Sequence, residues 1–278
     1  MTQAHARALS LSALTVLELT PPQMVQCAAD AGYDFVGLRL LPATDHEVRH
    51  EIVGDTALKR ETLAVLKGTG MRVLDVEIMR LKPDTDVTSY KPMLETAAEL
   101  GARFALVAGN DPEEARTADR LAQLCDIAAP LGITPSLEPM PWTEVKNIAQ
   151  GARIVAASGK RNTGLIIDPI HFDRAADSLD ALRALPRDYF GYVQFCDAPA
   201  ERPTDLDTLL FQARCERMIP GEGGLDLAGI LRALPEHLPV SVEVPTQRWA
   251  EVTRAVDRAR RLLNATRAVV EQAYTAAT

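Results

Sequence analysis

Four oxygen-bearing side chains interrupt otherwise apolar runs in the second half of the chain: Glu138 in SLEPM, Asp168 in IIDPIHF, Gln194 in VQFCDA and Glu243 in SVEVP. Taken singly, an Asp or Glu at the end of such a run caps the next helix or pairs with a basic neighbour. Three carboxylates in apolar settings are a different matter, because a buried charge is costly unless a cation or a proton neutralises it. One shared divalent ion meets that need for all of them. Carboxylates with an amide oxygen form a hard donor set, which suits Mn²⁺ or Mg²⁺ better than zinc, whose usual ligands are nitrogen and sulfur. Glu138, Asp168, Gln194 and Glu243 are therefore the expected metal ligands, and the chemistry requires neither a nucleophile nor an organic cofactor.

Other residues are candidates for holding a substrate beside such an ion. His171, three residues after Asp168, can donate to a substrate hydroxyl or serve as a plain structural histidine. Glu144 and its neighbour Trp142 fall in the loop after the Glu138 run, where they either cover the site or stand exposed. Arg202 and Arg217 lie in the longest connection, where a lid or an anion clamp would sit, with an ordinary salt bridge as the competing reading. The PGEG turn at Pro220–Gly223 is chiefly backbone chemistry, and its Glu222 is a weak candidate. Glu77 lies in a strand whose periodicity leaves its facing open.

The elements that must position these groups follow a regular beat: a short run rich in Val, Ile, Leu or Phe, a polar turn, then a stretch with helical spacing. Eight strands are expected, at Leu9–Val16, Phe35–Leu41, Arg72–Met79, Phe104–Ala108, Ile133–Glu138, Gly164–Asp168, Gly191–Phe195 and Val240–Val244. Pro21 and Pro22 open the first helix, and Gly101 closes the segment Thr88–Leu100. Gly32, Gly70, Gly101, Gly132 and Gly159 each sit just past a helical stretch, where a left-handed cap is favoured. Alternating strands and helices build parallel units, either as an open doubly wound sheet or as a closed barrel. An open dinucleotide-binding sheet should carry G-x-G-x-x-G after its first strand, whereas LELTPP stands there. The expectation is one (β/α)₈ TIM barrel over residues 1–278, with its reactive groups at the C-terminal ends of the strands. A long last helix runs from about Arg248 towards Ala276, to cover the barrel base, to contact a second copy in a homo-oligomer, or to stand in solvent.

Composition bounds the partners. A formal charge of −8 and a pI near 5.2 oppose a nucleic-acid partner, which needs clustered Lys and Arg. Cys27, Cys125, Cys196 and Cys215 are scattered without a C-x-x-C pair, which fits reduced thiols in a cytoplasmic protein. The amino terminus lacks the basic segment and apolar run of a secretory leader, and no stretch reaches the roughly eighteen apolar residues of a membrane span.

The four strand-end segments, with His171 and the stretch RMIPGEGGLDL at Arg217–Leu227, resemble the xylose-isomerase-like barrels of the sugar phosphate isomerases and epimerases. The likeness runs from the first strand to Glu243 and is most specific in the second half. That family places metal-binding Glu, Asp, His and Glu on strands five to eight. The resemblance thus carries Glu138, Asp168 and Glu243 over directly, while Gln194 stands where the family more often has His. A Gln ligates only through a neutral oxygen, or touches a metal-bound water. Similarity to ketose epimerases also implies proton transfer by Glu138 and Glu243 on opposite faces of the substrate, through an enediolate.

The activity so implied is isomerisation or epimerisation of a sugar or sugar-like hydroxycarbonyl compound. Dehydration of a cyclic keto-polyol, such as an inosose or dehydroshikimate, shares the same first step. A non-catalytic barrel that binds a polyol is the alternative from another class, since fold does not prove activity. A related barrel family that cleaves DNA with a three-zinc cluster needs several strand-end histidines. Of His5, His46, His50, His171 and His237, only His171 lies beside an expected ligand.

Overall fold

A computed structural model describes residues 7–275. Within them eight parallel strands close on themselves in chain order. They are β1 (Leu9–Leu11), β2 (Phe35–Arg39), β3 (Arg72–Leu81), β4 (Phe104–Gly109), β5 (Thr134–Glu138), β6 (Gly164–Ile167), β7 (Phe190–Phe195) and β8 (Val240–Val242). The seam is made by β8 and β1, with Leu9 opposite Val240 and Leu11 opposite Val242. All eight sit at the expected places. The first is shorter than expected, because after Leu11 the chain turns into a 3₁₀ segment at Ala13–Val16.

The helices follow in order: α1 (Pro21–Ala31), α2 (Ala57–Thr69), α3 (Lys91–Glu99), α4 (Glu114–Ala128), α5 (Ile148–Ser158), α6 (Pro169–Arg174), α7 (Leu179–Ala184), α8 (Leu206–Arg214), α9 (Leu227–Ala233), α10 (Gln247–Ala250) and α11 (Ala255–Thr275). At the start of α1, Thr20 and Gln23 form a reciprocal capping box ahead of the two prolines. The five glycines expected to end helices have φ between 64° and 93°, a range that costs a residue without Cβ little. The expected final helix is two: a short α10, a break, and then α11, which packs on α1 and α9 and so closes the ring. Ala276 and His5 lie outside the described residues.

Two apolar layers hold the barrel. The larger lies between strands and helices; the smaller fills the lumen, with Phe35, Leu74, Phe104, Leu106, Ile166 and Tyr192. Phe104 and Tyr192 meet there with ring centroids 5.1 Å apart. This inner layer floors the mouth formed by the strand ends, so a group at a C-terminal strand end faces either protein or a ligand. All four cysteines are free thiols, as expected. Among the described residues no helix is long and apolar enough to cross a membrane.

Candidate active site

Glu138 closes β5, opposite Ala108 of β4, and is 3% exposed. Its Oε1 has no hydrogen-bond partner among the described residues. Burial first, and then the charges of Glu243 and Asp168, push its carboxyl well above the usual range. Asp168 follows β6 and caps α6, accepting from the Ile170 N–H at 3.1 Å. One turn on, His171 comes back over the same face and puts its Nε2 3.6 Å from both Glu138 Oε1 and Asp168 Oδ2. Burial, and next the Arg217 guanidinium, hold this imidazole well below its ordinary pKa, so it is neutral and able to ligate or donate. Its ring meets Trp142 edge-on at 4.7 Å. Glu138, Asp168 and His171 thus offer three donor atoms within 4.8 Å of one another.

Glu243, just past β8, is held on several sides. Its Oε1 accepts from Ser12 Oγ at 2.8 Å and from Gln194 Nε2 at 3.0 Å. Its Oε2 lies 2.9 Å from Arg217 Nη1, which also reaches Asp168 Oδ2 at 2.7 Å. Burial alone would weaken this guanidinium's charge, but Asp168 and its fellow anions hold the pKa above the ordinary value. Gln194 Oε1, like Glu138 Oε1, has no hydrogen-bond partner among the described residues. One buried guanidinium therefore faces three buried carboxylates, and two orphaned acceptor oxygens remain. That donor set fits a divalent cation, which would compete with Arg217 for the oxygens of Asp168 and Glu243.

The cavity above these groups has a volume of about 360 Å³, and Glu138, His171, Gln194, Arg217 and Glu243 are on its wall. Asp168 is not; it lies behind, in contact with Arg217 and His171. Glu77 does face the mouth. It is paired with Arg39 at 2.7 Å, and burial pushes its carboxyl up to about 7 despite that arginine. Trp142 is on the wall, whereas Glu144 is exposed and off it. Arg202 is also off it: its half-exposed guanidinium is turned outward onto Asp173 at 3.0 Å. Arg217 is buried against carboxylates at the base of the site, so the structure brings no clamp together from Arg202 and Arg217. Glu222 pairs with Arg261 on the outer surface.

Sequence reasoning missed three groups. Arg80 on β3 and Arg214 at the end of α8 both line the cavity. Asp197, directly after the VQFC run, is buried and accepts from the amides of Gly221, Gly223 and Leu225 at 3.0–3.1 Å. A Cβ on Gly223 would stand 2.3 Å from its Oδ1. This carboxylate therefore locks the PGEG turn onto the end of β7, and the bridge between Asp197 and Met218 fixes the segment that carries Arg217. The signal was an acidic residue between an apolar run and a glycine-rich turn.

A family model described as xylose isomerase-like TIM barrel matches residues 25–268. The inosose isomerase of Bacillus velezensis is 27% identical over 180 residues, which is 60% of this chain and 62% of that protein. The 3-dehydroshikimate dehydratase of Pseudomonas aeruginosa is 34% identical over 177 residues, 59% of this chain but only 27% of that one. The chain thus spans less than two thirds of either relative's length in these matches. The crystal structure of the IOLI protein with a bound zinc atom superposes with a TM-score of 0.79 over 96% of this chain and 99% of that one; at 23% identity this likeness speaks for the fold.

Proposed function

Since the chain belongs to the xylose isomerase-like TIM barrel family, we propose that it is a divalent-metal-dependent isomerase or epimerase of a small polyhydroxylated carbonyl compound. The observation that carries this reading is the pair Glu138 and Glu243. Both are 3% exposed, they come from strands five and eight, and both are on the wall of one cavity of small-molecule size. A binding module has no use for two such groups as acid and base, whereas an epimerisation needs one carboxylate to take the α proton on one face and another to deliver a proton on the other, and a 1,2-proton shift needs at least one of them. Glu138, Asp168, Glu243 and the Gln194 oxygen would hold the ion, Mn²⁺ or Mg²⁺, and when bound it supplies Lewis-acid polarisation of the substrate carbonyl. His171, neutral and set by Trp142, donates to a substrate hydroxyl. When the α C–H bond breaks, its electron pair moves to the carbonyl oxygen and gives an enediolate. Return of a proton to the other face of the same carbon gives the epimer; return to the neighbouring carbon, with the α-hydroxyl proton passed to the former carbonyl oxygen, gives the isomer.

Dehydration of a cyclic keto-polyol is the second reading, and the 34% identity to a dehydratase favours it. It differs only in that a β-hydroxyl leaves after the proton. Incubation with Mn²⁺ in D₂O and a panel of ketoses and cyclic keto-polyols separates the cases. Deuterium at the α carbon without loss of water supports the isomerase, and exchange with loss of water the lyase. No exchange with any compound overturns both. Glu243→Gln should weaken Mn²⁺ binding by at least about tenfold, and unchanged binding would remove Glu243 from the ligand set.

A further inference from the structure

Four guanidinium groups line the cavity, and they are of two kinds. Arg39 and Arg217 are buried and spent on carboxylates: Arg39 on Glu47 and Glu77, Arg217 on Asp168 and Glu243. Arg80 and Arg214 have no carboxylate partner among the described residues. Arg80 is aimed by neutral acceptors, donating to Asn110 Oδ1 at 3.2 Å and to the Ala43 carbonyl at 3.1 Å, contacts that orient the fork without neutralising it. Arg214 lies over the face of Trp142, 5.6 Å from the ring centroid, and makes no hydrogen bond or ion pair among the described residues. Burial, and after it the charges of Arg214 and Arg39, lower the Arg80 pKa against the smaller pull of Glu138 and Glu47.

We propose that Arg80 and Arg214 form a carboxylate clamp at the rim of the cavity, so that the substrate is a polyhydroxylated carbonyl acid. Its acid group lies at the rim and its reacting carbons over Glu138 and Glu243. The proposal rests on the reading of this cavity as the substrate site and deepens it. An inosose or a neutral ketose lacks the group the clamp takes; a compound of the dehydroshikimate type has it. A phosphate is the poorer fit. In barrels of this architecture phosphate is commonly held by backbone amides of the last loops and a helix N-terminus. Here the amides of Gly221, Gly223 and Leu225 in the loop after β7 already donate to Asp197. What remains is two side-chain forks, enough to pair with the two oxygens of a carboxylate.

Binding of shikimate and of methyl shikimate to the full chain, measured by calorimetry with and without Mn²⁺, tests this. The two share ring and hydroxyls and differ in the charge. Shikimate should bind at least about tenfold tighter than its ester, and Arg80→Gln with Arg214→Gln should erase that preference, so that acid and ester bind alike. Arg214→Gln alone, at an exposed position, should erase part of it. Equal binding of acid and ester, binding of neither, or a preference that survives the double substitution each overturns the proposal. So does an arginine-dependent preference for fructose 6-phosphate over fructose without one for shikimate. No turnover is needed, so the clamp and the proton-transfer reading fail separately: absence of an acid preference in the unsubstituted chain refutes the first, and absence of deuterium exchange the second.

Discussion

Arg217 occupies the position from which the chemistry of the site is poised. One nitrogen spans Asp168 and Glu243, its Nε donates to the Ala213 carbonyl at 2.7 Å, and the group is 4% exposed. Removing one member of a buried ionic set leaves the others uncompensated, at a cost of about 3–5 kcal/mol. Arg217→Gln should therefore lower the unfolding free energy of the metal-free chain by an amount of that order in urea denaturation. It should also tighten Mn²⁺ binding severalfold in calorimetry, because the ion no longer competes with a guanidinium. Weaker Mn²⁺ binding in the variant would mean that the arginine and the ion do not share those oxygens. The residues proposed as ligands could be picked out because a carboxylate in an apolar run stands out, and strand ends are predictable. The clamp was not. Arg80 and Arg202 are both arginines beside expected site segments, and only the path of the chain decides that Arg80 is turned to the mouth while Arg202 is turned out to Asp173.

The segment from β7 to α9 shows the same division between what a pattern reveals and what packing adds. Its strand and its glycine-rich turn are visible in VQFCDA and PGEGG, yet nothing in their spacing says that Asp197 reaches forward to the amides of residues 221, 223 and 225. A carboxylate accepts several N–H groups at once, whereas an asparagine has a single acceptor oxygen and an amide NH₂ that faces the same donors unfavourably. Asp197→Asn should thus destabilise the chain by about 2 kcal/mol. Faster hydrogen exchange should appear at amides 221–225, and catalytic turnover should fall because Arg217 loses its fixed backbone. Unchanged exchange at those amides would show that the turn holds itself. Gly223→Ala should behave alike, since the new Cβ displaces the same carboxylate. The helix ends were the most readable elements, because a glycine past a helix satisfies a purely local requirement. The first strand and last helix were misjudged where the local pattern continues but the chain bends, at Ser12 and at residues 251–254.

At the scale of the whole barrel, the lumen holds acid groups that folding makes reluctant to ionise. Asp75 on β3 is fully buried, and neither of its carboxylate oxygens has a hydrogen-bond partner among the described residues. Burial first, then the charges of Glu77 and Glu243, raise its pKa well above the ordinary carboxylate range. Glu77 is pushed up to about 7 by burial against the pull of Arg39. The sign follows from linkage: a carboxyl whose pKa is higher in the fold than in the open chain retains a proton there that the open chain has lost. Above the unfolded pKa, about 4 for a carboxylate, the folded state binds more protons, so stability declines as pH rises, until the folded pKa is passed. The metal-free chain should therefore be more stable at pH 5.5 than at pH 8 in urea. Asp75→Asn, which retains the shape and removes the ionisation, should flatten that slope by raising stability at pH 8 more than at pH 5.5. A wild-type slope of the opposite sign, or a variant with an unaltered slope, would assign the pH response to other groups. The composition could not foretell this: a formal charge of −8 counts every acidic group alike, while the pH response belongs to a few carboxyls enclosed by eight strands.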